Sequence, residues 1–488
     1  MRTPRPLMLG LLIAATLSTG THVFAQSLPG AAKSLNAESL NSIEFSGKGR
    51  WFQFGQAPAP KLPWPPFDVS KYVADINYAT ASAKVQITRQ QVEEAGRLRP
   101  APTTQWANQY VSGKTAWNLP VPNLPQNATP QPAAVEERLA EIWATPQGFI
   151  KAAQANNASI KPVKDGIEVT FTLDGKYRYV GKVNAKNQVE WVQSWIDTPV
   201  LGDTLVETRF SDYKDFGGIQ FPAHIVRSEG GYPILDLNVD SVSVNPRVDI
   251  TVPPEVASAK PAVVTVKCTK IGDGVFYLTG GTHHSVAIEE RDHIVLVEAP
   301  LNEERSLALI EKLKEVIPGK PIKYLINTHA HFDHSGGLRT FVDAGSIIVT
   351  HKTNQAYYQK TFAAPHTLNP DRLEASKKVA RFETFVGKDL LDDGDRAIEI
   401  HTIAASAHND AFALVYLPAD KILIEADAFT PVAADAPLPA SPNPYSVNLY
   451  ENIQKLKLDV KKIAALHGPR LVTIDDLRAA IGQPVAVK

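Results

Sequence analysis

The sequence predicts two consecutive domains of different class: a β-rich α+β domain over residues 30–250 and a layered α/β domain over residues 264–488. Three observations carry this reading. Between residues 42 and 244, β-branched and aromatic residues alternate with polar ones, and turn signals such as Asp174-Gly175, Gly217-Gly218 and Gly230-Gly231 separate the runs. After a Pro/Ala-rich stretch at 251–262 the pattern changes to strands alternating with helices. Finally, 11 of the 13 histidines fall between His283 and His467, so something in that region uses imidazole.

Composition sets the outer limits. With 488 residues, 44% of them apolar, each domain can bury a core of its own. Lys and Arg (50) balance Asp and Glu (51), and no basic stripe stands out, which argues against nucleic acid as a partner. A small-molecule substrate is the expected partner; oligomeric state is not legible. At the N-terminus, Arg2 and Arg5 precede an apolar run from Leu7 to Leu17, and Val23-Phe24-Ala25 stands before Gln26. This reads as a signal peptide over residues 1–25 with a small-x-small cleavage site. The apolar run is about half of the roughly 20 residues a membrane span needs, so no transmembrane anchor is expected after removal of the signal. A periplasmic or secreted location is the expectation. The single cysteine, Cys268, has no partner for an internal disulfide.

The elements follow in order. Strand patterns occupy residues 42–56, 72–90 and 166–244, and one helix is expected over 133–155. Two Pro-rich stretches, 57–67 and 118–132, read as extended surface connections. Trp51, Trp64, Trp191 and Trp195 sit at strand spacing, which favours core positions over a binding groove. The run SDYKDFGGIQFPAHI (211–225) resembles the repeated hairpins of periplasmic lipoprotein-carrier domains. No clustered His, Cys or paired acids assign chemistry to this half. Residues 251–262 (TVPPEVASAKPA) form the expected linker. Beyond it come strands at 274–279, 285–290 and 293–298, a helix at 303–316 and a strand at 322–327.

The densest chemical signal is NTHAHFDHSGG (327–337). An apolar strand, YLI, runs out into His329, His331, Asp333 and His334, followed by Ser-Gly-Gly that can open a helix. On an extended backbone His329 and His331 point the same way, and a turn into a helix brings Asp333 and His334 toward the same point. Four N/O ligands within six residues suit zinc better than calcium or magnesium, which prefer all-oxygen shells.

This His-x-His-x-Asp-His pattern after a strand resembles the signature of the metallo-β-lactamase superfamily, over roughly residues 264–488. The resemblance implies a four-layer αββα fold and three further ligands at later strand ends. His408 lies in the turn AASAHND, Asp427 ends KILIEAD, and His467 follows the apolar IAAL. It places His329, His331 and His408 on one zinc and Asp333, His334 and His467 on a second, with Asp427 bridging, two ions per chain. It further implies that the ions hold a shared water as hydroxide, with Asp333 beside it as a catalytic group. His284, in GGTHHSVAIE, is a further candidate for substrate contact or proton transfer.

There are departures from the family pattern. Where the family ends an early strand with Asp, IVLVEAP supplies Glu298. Where zinc β-lactamases carry a cysteine ligand, this chain has Asp427, which points toward the glyoxalase II-like and lactonase-like branches. The expected activity is hydrolysis of a carboxylic ester, lactone, thioester or amide, with β-lactams as a side activity. The alternatives are a sulfatase or phosphoesterase of the same superfamily, or a binding protein whose metal domain is vestigial. No Gly-x-Ser-x-Gly elbow occurs, so a serine hydrolase has no support.

Overall fold

The computed structural model describes residues 27–120, 128–260, 263–392 and 396–484. The expected signal peptide lies outside the described residues, as do positions 121–127 of the second Pro-rich stretch and 261–262 of the linker. No helix among the described residues is long and apolar enough to cross a membrane.

The N-terminal half is organised by one 13-stranded sheet in which every neighbouring pair is antiparallel. Its first and last long strands, Ser42–Phe52 and Tyr232–Val244, pair side by side at the centre of the sheet. Period-two alternation gives one buried face, where Phe45, Tyr72, Phe171 and Phe221 meet Leu28, Ala31 and Ala32 of the helix Leu28–Ser34 and Phe149 and Ile150 of the helix Pro146–Ala155.

The single helix expected over 133–155 is instead a 3-10 turn, Pro132–Ala134, followed by two helices, Val135–Trp143 and Pro146–Ala155. Pro146 is the cause. Proline pushes the preceding residue to extended backbone, and Thr145 adopts φ −77°, ψ 155°. Its hydroxyl then caps the second helix by accepting from Gly148 N at 3.2 Å. The expected linker is also more ordered than its composition suggests. Pro254–Ala257 forms one helical turn, and Val256 is buried with Trp117 and Ala128 of the N-terminal half.

The C-terminal half stacks a seven-stranded sheet on a six-stranded one. Val275, Val286 and Val295 of the first meet Ile400, Leu414 and Leu423 of the second in a shared core. The outer face of the first sheet is covered by the helices Glu303–Val316, Leu338–Ala344 and Lys352–Phe362, which supply Leu309, Leu313, Phe341 and Tyr358. Leu449, Ile453 and Leu477 of Pro444–Leu456 and Ile474–Ala480 pack with the second. The order is helix, sheet, sheet, helix. In the first sheet, Ile294–Val297, Ile322–Ile326 and Ile347–His351 run parallel, so their C-terminal ends gather along one edge, where side chains of the following loops converge.

Candidate metal centre

The strand Ile322–Ile326 ends in a buried Asn327, which sets the course of the histidine-bearing run that follows. Its Nδ2 donates to the His329 carbonyl at 2.8 Å, and its Oδ1 accepts from the Tyr358 hydroxyl at 2.7 Å. His329 and His331 then lie on one side with ring centroids 4.5 Å apart, and His408 completes a triangle, 4.5 Å from His331 and 5.1 Å from His329. The Nε2 atoms of His329 and His408 are 3.3 Å apart. Two ligands of one tetrahedral zinc, each about 2.05 Å from the ion, stand about 3.3 Å from each other.

The helical turn Phe332–Ser335 carries Asp333 and His334 to a second cluster with His283 and His467. His334 Nε2 lies 2.9 Å from His467 Nε2. Asp427, two residues beyond the strand Ile422–Glu425, stands between the clusters. Its Oδ2 is 2.9 Å from His334 Nε2, 3.2 Å from His329 Nε2 and 3.3 Å from His408 Nε2, while its Oδ1 is 3.0 Å from His467 Nε2.

Hydrogen bonds to the far sides of the rings fix which atoms face inward. Glu298, fully buried at φ +72°, accepts from Thr328 N at 2.6 Å and from His334 Nδ1 at 2.9 Å, leaving His334 Nε2 for the cluster. His331 Nε2 donates to the Ala57 carbonyl at 3.1 Å, so its Nδ1 faces inward, buried and without a hydrogen-bond partner. Asp427 Oδ2 is likewise buried without one. Buried polar atoms in folded proteins are almost always satisfied, so two orphaned ligand atoms aimed at one space mark a place for a cation. Electrostatics agree. Burial and the neighbouring imidazoles hold His329 far below its ordinary pKa, and burial with His408 pushes His331 down to about 3. Both rings are therefore neutral, the form that binds metal. Burial works against ionised Asp427 and Asp333, but His334 and His408 beside the first, and the His283 hydrogen bond beside the second, hold both carboxyls well below their usual range.

The N-terminal half reaches this centre. The start of the Pro-rich stretch 57–67, read as a surface connection, lies against the C-terminal half instead, together with Gly55 and Gln56 from the end of the preceding strand pattern. Gln56 Nε2 donates to Asp333 Oδ1 at 2.9 Å, Asn409 Nδ2 to the Ala57 carbonyl at 3.3 Å, Phe332 N to the Gly55 carbonyl at 3.1 Å, and Asp410 N to the Pro58 carbonyl at 2.8 Å. Pro58 and Pro60 remove backbone donors, so this segment offers carbonyls to a neighbouring surface. Arg97 adds an ion pair to Asp410 at 2.8 Å.

All seven residues of the expected ligand set, His329, His331, Asp333, His334, His408, Asp427 and His467, come together here. His284 does not. It is buried, its Nε2 donates to the Gly468 carbonyl at 2.7 Å, and its ring packs on Tyr277, 5.3 Å between centroids. Its neighbour His283 faces the centre instead, with Nε2 3.2 Å from Asp333 Oδ2 and its ring 4.1 Å from that of His467. Reading the sequence missed His283, Gln56 and Ala57. The His-His pair signalled the first, whereas nothing local signalled the other two. His293, His351 and His401 lie elsewhere, engaged with Asp292, Thr353 N and Glu399. His366 is buried against Gly202.

Of the four tryptophans at strand spacing, Trp64 is buried and packs edge-on against Phe332, 5.6 Å between centroids. Trp51, Trp191 and Trp195 are partly buried.

Residues 278–467 match the model of the metallo-β-lactamase superfamily. No curated protein matches the chain. Among solved structures it is similar to a metallo-β-lactamase from Pontibacter korlensis, at 18% identity over 45% of this chain and 98% of that one, TM-score 0.35. It is also similar to the FIM-1 metallo-β-lactamase of Pseudomonas aeruginosa, determined in a mono-zinc form (18%; 46% and 96%; TM-score 0.33). A metallo-β-lactamase from Hirschia baltica matches at 20% identity over 46% and 100% of the two chains, TM-score 0.32. The C-terminal part of this chain, over residues 278–467, is a metallo-β-lactamase superfamily domain.

Proposed function

We propose that the protein is a zinc-dependent hydrolase of carboxylic esters, lactones, thioesters or amides. In this reading His329, His331 and His408 would hold one zinc, Asp333, His334 and His467 a second, and Asp427 would serve both. Bound there, two zinc ions supply a nucleophilic oxygen at neutral pH and polarise the acyl oxygen. The chain's residues do the rest. His329 and His331, kept neutral by burial, are oriented by hydrogen bonds on their outer nitrogens, with Thr328 and Ala57. Glu298 anchors His334 from behind. Asp333, held between His283 and Gln56, keeps its carboxylate in place beside the reacting centre, where it can accept a proton. The observation that carries the reading is the pair of buried, partnerless ligand atoms, His331 Nδ1 and Asp427 Oδ2, facing one space among imidazoles.

Asp427 in place of a thiolate supports the ester and lactone side of the range over β-lactams, because a carboxylate offers two oxygens to neighbouring cations; here Oδ2 lies beside His329, His408 and His334, and Oδ1 beside His467. A periplasmic or secreted location belongs to the same proposal and rests on the pattern of residues 1–25.

The test is metal analysis of the purified protein followed by a panel of ester, lactone, thioester, β-lactam, sulfate and phosphate substrates. About two zinc equivalents are expected, with acyl hydrolysis abolished by chelation and restored by zinc. His331→Ala is expected to lose turnover and metal, and His293→Ala neither. Full activity in metal-free protein, or equal losses in the two variants, would refute the assignment.

A further inference from the structure

A cavity of about 500 Å³ lies between the two halves of the molecule, behind the metal-bearing run. Its floor is formed by Ala330 and Phe332. Because side chains alternate along an extended backbone, His329 and His331 turn to the metal centre while the Ala330 methyl turns away from it, into the cavity. Trp64 and Leu201 of the N-terminal half form apolar walls, and the Trp64 and Phe332 rings meet edge-on. The volume falls within the range of small-molecule sites, about 300–1,000 Å³, and so does the character of the lining, apolar with a few polar groups.

The polar groups are unevenly matched. Lys61 from the N-terminal half and Lys360 from the helix Lys352–Phe362 both line the space, and neither ammonium has a hydrogen-bond or ion-pair partner among the described residues. Asp203 is the one carboxylate in the lining among the described residues, and it is already engaged. Thr367 Oγ1 donates to its Oδ2 at 2.5 Å and Leu368 N to its Oδ1 at 3.0 Å. The cavity therefore offers apolar walls and two ammonium groups, one from each half of the chain, against a single carboxylate whose oxygens are already hydrogen-bonded.

We propose that this cavity binds a small amphipathic carboxylate, an aromatic or branched apolar body with one anionic head, at a place separate from the reacting centre. The proposal does not rest on hydrolysis. Occupancy bears on the metal centre all the same, because Gly55 and Ala57 line the cavity and Ala57 also accepts the hydrogen bond from His331. A ligand that holds this loop in place is expected to tighten binding of the ion at His331, and by reciprocity metal loading is expected to tighten the ligand.

The test is calorimetric titration of the full chain with 1-naphthylacetate and with its neutral amide, on zinc-loaded and on chelator-treated protein. Saturable one-to-one binding of the carboxylate is expected in both forms, with the amide about tenfold weaker, the factor two partly solvated ion pairs supply. Lys61→Ala with Lys360→Ala should bring the carboxylate down to the level of the amide. Leu201→Trp, which fills the space, should abolish binding of both while circular dichroism and zinc content stay unchanged. No saturable binding up to millimolar ligand, or binding indifferent to the lysine and Leu201 substitutions, would overturn the proposal. So would binding that vanishes on chelation, since the carboxylate would then sit on the metals. The readout is binding in the absence of turnover, so failure here leaves the hydrolase reading standing, and the reverse.

Discussion

Replacing Gln56 with Ala removes a side chain that lies 277 positions from Asp333 in sequence and 2.9 Å from it in space. The lost interaction is a hydrogen bond to a carboxylate, a class that contributes about 1.5–3 kcal/mol when buried. Asp333 is 30% exposed at its side chain and keeps a second tether, His283 Nε2 on Oδ2 at 3.2 Å, so water and His283 make up part of the loss. The lower end of the range applies, about 1.5 kcal/mol, which is roughly tenfold in an equilibrium or a rate. That figure falls at the bottom of the range for partners that orient metal ligands, 10- to 100-fold.

The assay is zinc competition against a chromophoric chelator, run alongside steady-state kinetics on whichever ester the substrate panel identifies. Gln56→Ala is expected to weaken the more loosely held zinc about tenfold and to lower kcat by a similar factor, with little change in KM. Gln56→Glu sets a second carboxylate against Asp333 and is expected to do worse than Ala. The reasoning fails if both variants hold two zinc ions and turn over within twofold of the parent.

Other perturbations follow from the same geometry. Gly55 sits at φ +80°, and a Cβ there would come within 2.8 Å of the Phe332 ring, so Gly55→Ala is expected to cost about 1–2 kcal/mol for the left-handed backbone alone and to lower both Tm and zinc affinity, read by thermal denaturation with and without zinc. Glu298→Asp shortens the arm that now reaches Thr328 N and His334 Nδ1 together; one bond should be lost and zinc affinity fall 10- to 100-fold, and unchanged metal stoichiometry under chelator competition would contradict this. Burial pushes the Glu229 carboxyl from its ordinary 4.5 up to about 8. Between those values the folded state binds more protons than the unfolded one, so stability declines as pH rises through this window, and Glu229→Gln should flatten the decline in denaturant midpoints measured from pH 5 to 8.

Much of the site was legible because its ligands belong to strand ends. An apolar run breaking into His-x-His signals an extended exit with two side chains on one face, and Asp427 and His467 each lie two residues past a four-residue strand, ILIE and KIAA, with three apolar or small residues in each. The helix Glu303–Val316 coincides with its reading at both ends, and the Asn302 side chain caps its start by accepting from Arg305 N. Choosing between His283 and His284 was harder. Adjacent residues face opposite ways, and the phase is set by a bridge from His283 to His467, 184 positions away. A local pattern carries no information about that pairing. The break at Thr145-Pro146 is signalled by the proline itself, which the reading of 133–155 as one helix passes over.

The least legible part of the centre is also the part that joins the two halves of the molecule. Ala57 acts through its backbone carbonyl, and a carbonyl leaves no mark on residue identity; what the sequence does carry is Pro58, which holds Ala57 to extended backbone and keeps that carbonyl turned outward. The ligand residues are thereby anchored from different sources, and the division cuts across the two clusters. His334 is held from inside its own domain by Glu298, buried beneath it, whereas His331, and Asp333 beside it, are held from the N-terminal half by Ala57 and Gln56. A change at the interface between the halves therefore acts first on His331 and Asp333, and a change beneath the sheet acts first on His334. Asp427, whose Oδ2 lies beside His329, His408 and His334 and whose Oδ1 lies beside His467, is where the two effects meet. For that reason the N-terminal half, which carries no metal-binding cluster among its described residues, belongs to the chemistry of the centre through the geometry it imposes on it.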